Sequence, residues 1–242
     1  MFVGWYTTLT GGTRVASNTN LSAVTAGNQI TLTARWTQDV YGIFNIKSVS
    51  KNRYMTGDSV NPYLFVGDLN GGAYERWVIQ KIGAHYQVRS GLVSPSGIGK
   101  LNRDSTGNAI VNTPDTNISV TRNADGTVTF RLPDTGYMLR ATSFDPRDTG
   151  VRWMTNTGAP DSSYKWILEP HPLNYRKGDV NQDGKIDMLD ANEILKYINN
   201  MNSNVNTAAG FYLADITHDG TVDILDVNEI IKYLSGVSSL IG

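Results

Sequence analysis

Residues 178–197 read GDVNQDGKIDMLDANEILKY, and residues 214–233 read ADITHDGTVDILDVNEIIKY. Eleven of the 20 aligned positions are identical, so the C-terminal part of the chain is an internal duplication and not a coincidence of composition. In each copy oxygen-bearing side chains recur at fixed offsets of a twelve-residue loop. Asp179, Asn181, Asp183, Asp187 and Asp190 stand at positions 1, 3, 5, 9 and 12, and Asp215, Thr217, Asp219, Asp223 and Asp226 repeat them 36 residues later. Gly184 and Gly220 fill position 6, where a sharp turn is needed. Position 7, Lys185 and Thr221, can offer its backbone carbonyl. Such a loop suits Ca²⁺, a hard cation that takes six to eight oxygens at about 2.3–2.6 Å. A single Asp-rich turn reads equally well as a solvated loop, but two in register do not.

An apolar stripe follows each loop: Leu189, Ile194, Leu195 and Ile198, then Leu225, Ile230, Ile231 and Leu234. This spacing predicts one buried face of a helix in each copy. No helical pattern precedes either loop, since Asp179 follows YRKG and Asp215 follows TAAGFYLA. The copies therefore read as loop-then-helix halves. One half cannot bury its helix face alone, whereas two related by symmetry can bury each other's. Metal binding then contributes directly to folding.

Loop, helix and duplication together make residues 172–242 resemble a dockerin, the calcium-binding module that joins secreted proteins to cohesin modules of scaffolds. The resemblance implies two Ca²⁺ ions, a cohesin partner, and a secreted, extracellular, scaffold-associated bacterial protein. It implies that Met188, Leu189, Lys196 and Tyr197 in the first copy, and Ile224, Leu225, Lys232 and Tyr233 in the second, read the cohesin. Leu189 and Leu225 read equally well as core residues, while Met188 and Ile224 are hard to bury on the same face. The two pairs are alike enough that either helix is expected to present to the partner. Thr217 departs from the family pattern at position 3, which marks the second site as the weaker. The apolar ends, Leu173 and Tyr175 against Leu240 and Ile241, could clasp the module, a frayed terminus being the plainer expectation.

Residues 38–171 carry short alternating apolar runs between Gly, Asn, Asp and Pro, an all-β pattern. Phe44-Asn-Ile46-Lys47, Tyr86-Gln-Val88-Arg89 and Val128-Thr-Phe130-Arg131 recur every 42 residues. Each is followed by three further runs: RYMT, LFVG and Trp77–Ile79, then GKLN, AIVN and Ile118–Val120, then GYML, VRWM and Trp166–Leu168. Three units of four strands lay out a β-trefoil, whose barrel closure removes sheet edges. The pattern resembles the ricin-type β-trefoil, a fold frequent among carbohydrate-binding modules, although the family's Gln-x-Trp signature is absent from all three units. A polysaccharide or glycan partner would need exposed aromatics, and Tyr63, Tyr74, Phe144 and Tyr164 lie in loop-like stretches that could supply them. Trp77 and Trp166 read as barrel core.

The first 37 residues, with Phe2, Gly4, Trp5, Tyr6, the Gly11-Gly12-Thr13 turn and Leu32-Thr-Ala34-Arg-Trp36, resemble the closing half of a Listeria–Bacteroides repeat. The chain is on this ground expected to be the C-terminal part of a longer protein. It is thus expected to be multidomain: a partial β repeat at 1–37, a β-trefoil at 38–171 and a small all-α dockerin at 172–242.

Net charge is −1, against a general nucleic-acid binder, which needs clustered Lys and Arg. Residues 172–242 nevertheless hold five Lys or Arg against ten Asp or Glu, an acidic segment that calls for cations. Cys is absent, so neither disulfides nor thiolate metal sites are available. No apolar run approaches the roughly 20 residues of a membrane span. No hydrolase, metalloprotease or phosphate-loop motif occurs. His85, His171 and His218 are scattered, and the two Glu residues of the middle region, Glu75 and Glu169, adjoin closing-strand Trp residues and read as structural. The chain is accordingly expected not to be an enzyme.

Overall fold

Alternating sequence becomes strand throughout the first two thirds of the chain. The computed structural model describes residues 2–6, 14–15, 33–36, 40–57, 62–94, 97–143, 150–171, 176–237 and 239–241. The chain divides into two units, residues 1–39 and residues 40–242. The first contains β1 (Phe2–Tyr6), β2 (Arg14–Val15) and β3 (Thr33–Trp36) as an antiparallel sheet of order β2-β1-β3. The Gly11-Gly12-Thr13 turn and Leu32 lie outside the described residues.

In the second unit the twelve runs expected from the 42-residue spacing are all strands. The first repeat gives β4 (Gly42–Ser48), β5 (Tyr54–Thr56), β6 (Phe65–Gly67) and β7 (Arg76–Ile82). The second gives β8 (His85–Ser94), β9 (Gly97–Arg103), β10 (Ala109–Asn112) and β11 (Ser119–Arg122). The third gives β12 (Val128–Arg131), β13 (Met138–Ala141), β14 (Val151–Met154) and β15 (Trp166–Pro170). First and fourth strands pair in a closed ring, β4-β7-β8-β11-β12-β15 and back to β4. The β8 to β11 link is the single Tyr86–Ile118 bridge, with hydrogen bonds of 2.7 and 3.0 Å. Second and third strands form three hairpins that bridge one another at Tyr63–Ile110, Phe65–Gly150 and Asn108–Arg152. A six-stranded ring capped by three hairpins is a β-trefoil.

The ring is filled by Ile46, Trp77, Ile79, Val88, Leu101, Ile118, Phe130, Leu139 and Trp166, all buried. Trp77 and Trp166 are core, as expected, and each indole N–H donates to a hairpin carbonyl, Met55 at 2.9 Å and Leu139 at 3.2 Å. Burying an indole without such a partner would leave a costly unsatisfied donor. Both glutamates of this region are hydrogen-bonded within it. Glu75 is buried and accepts from the backbone N–H groups of Asn70, Gly71 and Gly72, and Glu169 accepts from the Tyr54 hydroxyl at 2.8 Å.

The C-terminal part holds α1 (Met188–Ile198), α2 (Ala208–Ala214) and α3 (Ile224–Leu234). Helix α2 corrects the expectation that no helix precedes the second loop. Seven residues containing a Gly are too few to form a helix on propensity alone, and tertiary packing holds this one. Thr207 caps it at Gly210 N, 2.9 Å, and Ala208, Ala209, Phe211, Leu213 and Ala214 are buried. Gly210 sits so close to the preceding turn that an added Cβ would lie 1.9 Å from the Asn204 carbonyl oxygen. Gly→Ala in a helix ordinarily stabilises by about 1 kcal/mol. Here the backbone clash reverses the sign, and Gly210→Ala is expected to cost about 1–3 kcal/mol, measurable as a lowered melting temperature of the helical signal.

The helix faces also differ from the expected stripe. Asp190, Ala191 and Ile194 of α1, and Asp226, Val227, Glu229 and Ile230 of α3, are the buried positions. Leu189 and Leu225 are exposed, which overturns their reading as core residues. The buried seam runs through the carboxylates because Asp190 and Asp226 are fixed by backbone N–H groups and must lie inside.

Candidate functional site

Each loop is organised by its own acids. In the first, Asp179 accepts from Asp183 N at 3.1 Å and Gly184 N at 3.0 Å, and Asn181 Oδ1 accepts from Asp183 N at 2.9 Å. Asp183 accepts from Lys185 N at 2.9 Å. Asp187 caps α1 by accepting from Leu189 N at 2.7 Å, and Asp190 returns to Asp187 N at 2.9 Å and Asn181 N at 3.0 Å. The second loop repeats this: Asp219 accepts from Thr221 N, Asp223 caps α3 at Leu225 N, and Asp226 takes Ile216 N, Thr217 N and Asp223 N. The reciprocal bonds between positions 9 and 12 form a capping box, so position 12 ties the end of each loop to its beginning. Gly184 and Gly220 both have φ +87°, the left-handed turn that position 6 requires.

Do these residues fit a cation? Among the described residues no three acidic or imidazole groups already converge as a ligand cluster. The loop carboxylates accept from backbone N–H groups of their own loops. In the second loop, however, Asp215 Oδ1 and Thr217 Oγ1 are buried with no hydrogen-bond partner. Orphaned buried acceptors are costly, and these two stand at loop positions 1 and 3. An oxygen-seeking cation is the group that would satisfy both. Burial pushes the Asp215 carboxyl up, the neighbouring Asp226 and Asp219 reinforcing this and Lys177 opposing it, and burial likewise raises Asp190. Lys177, also buried and lowered by it, donates to the Tyr212 carbonyl and, at 2.7 Å, to that of Asp215.

The two expected partner-facing groups stand on the first turns of α1 and α3. Met188 and Leu189 are 58% and 59% exposed, and Ile224 and Leu225 are 60% and 54% exposed. Lys196 and Lys232 pair with Glu193 at 2.5 Å and Glu229 at 2.6 Å. Tyr197 and Tyr233 are partly buried against the helical core; Tyr197 meets Phe211 edge-on, and the Tyr233 hydroxyl accepts from Arg176 at 2.7 Å.

Sequence reasoning missed a second set of equivalent contacts. Glu193 accepts from Asn204 N at 2.8 Å while its own carbonyl accepts from Ser203 Oγ at 2.7 Å; Glu229 does the same with Leu240 N at 2.8 Å and Ser239 Oγ at 3.0 Å. The duplication thus extends to residues 203–205 and 239–241, a signal present in the 36-residue spacing of Ser203 and Ser239. Ile241 is buried in the core, so the C-terminal segment is docked and not frayed, whereas Leu173 and Tyr175 lie outside the described residues.

The four aromatic candidates of the trefoil separate. Tyr63 is 47% exposed and Tyr74 half-buried. Tyr164 is withdrawn as a candidate: it is only 6% exposed and its hydroxyl donates to the Thr155 carbonyl at 3.0 Å, which takes its ring face away from solvent. Phe144 lies outside the described residues. A cleft of about 490 Å³ beside Tyr164 is lined by Lys51, Arg140, Arg152, Thr142 and Ser163, a cationic lining that the search for sugar-stacking aromatics passed over.

No curated protein matches the chain. Among solved structures it is similar to the Macrolepiota procera ricin B-like lectin in complex with lactose (15% identity, 55% of this chain and 99% of that one, TM-score 0.46). It is also similar to the Rhizoctonia solani agglutinin (16%, 56% and 99%, TM-score 0.45). A GlcNAcα1-4Gal-releasing endo-β-galactosidase from Clostridium perfringens matches at 14% identity and TM-score 0.45 over 53% of this chain, which spans about a third (32%) of that protein's length. The trefoil stands on its own ring of strands. Among the described residues no helix is long and apolar enough to cross a membrane. The Dockerin type I domain family matches residues 177–235, which contain both loops, all three helices and both exposed apolar pairs. This C-terminal segment matches the Dockerin type I domain family, whose modules bind calcium and dock to cohesin.

Proposed function

We propose that the chain attaches a secreted, extracellular protein to a cohesin-bearing scaffold through either of two equivalent faces, with one Ca²⁺ in each loop. The ligands would be Asp179, Asn181, Asp183, the Lys185 carbonyl, Asp187 and Asp190 in the first loop, and Asp215, Thr217, Asp219, the Thr221 carbonyl, Asp223 and Asp226 in the second. Positions 9 would act through their free carboxylate oxygen or a bridging water. The observation that carries the reading is the pair of matched apolar patches, Met188–Leu189 and Ile224–Leu225, each on a helix whose first turn is fixed by its own loop. Large apolar residues left in water on a small module mark an interaction surface. Lys196 and Lys232, held by their glutamates, would border the contact. Capture of the full chain by immobilised cohesins in calcium, and its loss in chelator, tests the reading.

The trefoil's own role is proposed to be glycan binding by a separate surface, with Tyr63 as the stacking aromatic and Tyr74 as a second candidate. Support comes from Tyr63 being, among the described trefoil aromatics, the one that is exposed. Saturable binding of the full chain to one member of a panel of neutral and anionic polysaccharides is expected. Tyr63→Ala should weaken it about tenfold or more, as loss of a central aromatic contact does. Absence of binding across the panel would leave the trefoil a spacer or a protein contact.

A further inference from the structure

The two loops are near-copies in sequence but not in surroundings. Around the first, Gly184 is open, with nothing within 4 Å of an added Cβ. Around the second, Gly220 lies directly under Ile82 of β7, whose side-chain atoms come within 2.8–3.0 Å of the same point. Tyr41 meets His218 edge-on at 4.8 Å. Ile43 and Val78 of the ring pack with Ala208 and Ala209 of α2. The trefoil therefore packs against the second loop at Gly220 and His218, and not against Gly184 of the first, while His218, Asp219 and Thr221 stay exposed as Gln182, Asp183 and Lys185 do.

The contact reaches the ligand at position 1. Asp179 is served by its own loop, with one backbone N–H on each carboxylate oxygen. Asp215 receives Gly220 N on Oδ2 at a longer 3.3 Å, and the same oxygen accepts from Gln80 Nε2 of the trefoil. Gln80 is fully buried and its orientation is set from behind, because its Oε1 accepts from Arg89. Arg89 is in turn held by Gln87 Oε1 at 2.7 Å and lies 4.1 Å from the centroid of the Phe211 ring on α2. The chain Phe211–Arg89–Gln80–Asp215 thus fixes which carboxylate oxygen is occupied by a donor and which, Oδ1, is left for an ion. Donors that orient a metal-binding carboxylate from outside the coordination sphere typically change affinity 10–100-fold. The second loop has the greater need of such help, because Thr217 replaces a charged or carboxamide ligand.

We infer that the trefoil completes the second calcium site: Gln80 is a positioning residue for Asp215, so that calcium affinity at the second loop, and not at the first, depends on the β7–β8 hairpin. This rests on the proposal that both loops bind calcium. By linkage, filling the second loop must also tighten the packing of the hairpin against it.

Calorimetric calcium titration of the full chain tests this, with Gln80→Met removing the donor at similar length. An Asp179→Asn background, which impairs the first loop, assigns the two sites. Gln80→Met should weaken the second site about 10–100-fold and leave the first unchanged, a selectivity that general destabilisation would not produce. Should Gln80→Met lose its cooperative tryptophan-fluorescence melt, Ile82→Ala, which uncovers Gly220 without entering the barrel core, takes its place with a smaller loss at the same site. Wild-type affinity at both sites in the folded variant overturns the inference, as does an equal loss at both. No calcium uptake by the wild-type chain would instead remove the reading on which the inference rests.

Discussion

Removing calcium is expected to melt the three helices while the β ring stays folded. The helical module has a small core built from residues such as Val180, Ile194, Val205, Phe211, Ile216 and Ile230. Domains of this size are marginal without a staple, and helices of eleven and seven residues are not stable alone. Both long helices start from a capping box whose two members are also loop acids, so losing loop order removes the caps as well. A buried Asp215 with an orphaned oxygen adds to the cost of the empty state. With calcium at 100 times its dissociation constant, each site would contribute about 2.7 kcal/mol by mass action. Adding a chelator to the full chain should abolish most of the helical circular dichroism, and restoring calcium should return it. Persistence of the helical signal through complete metal removal, verified by elemental analysis, would show that the packed core suffices.

The second large effect concerns the paired faces. Met188→Asp with Leu189→Asp, or Ile224→Asp with Leu225→Asp, should each reduce cohesin affinity by only about twofold, because one of two equivalent binding modes survives. The fourfold variant should lose about 10³-fold or more, since two central apolar anchors together supply roughly 4 kcal/mol. The geometry permits this test: all four side chains are more than half exposed, and the trefoil packs on α2 and the second loop instead. Abolition of binding by the first pair alone would make the docking one-way.

Much of this architecture was legible from spacing. The 42-residue period located all twelve trefoil strands because each repeat must place the same alternating run on the same ring position. The 36-residue period located both loops and both long helices. Helix α2 was not legible, since TAAGFYLA is too short for a period and is held by contacts distant in sequence. The buried helix face was misread because hydrophobicity assigns leucine to the core and aspartate to water, whereas backbone N–H groups draw Asp190 and Asp226 inward. Tyr164 looked like a loop aromatic until its hydroxyl found Thr155. Gln80 and Arg89 are unremarkable polar residues of alternating strands, and only coordinates reveal that both point at the other half of the chain.

The ring closes by pairing its first strand with its last, Phe44 opposite Pro170 and Ile46 opposite Leu168. The backbone therefore enters and leaves the trefoil along neighbouring, oppositely directed strands. Such a module brings its own two ends together at one place on the ring.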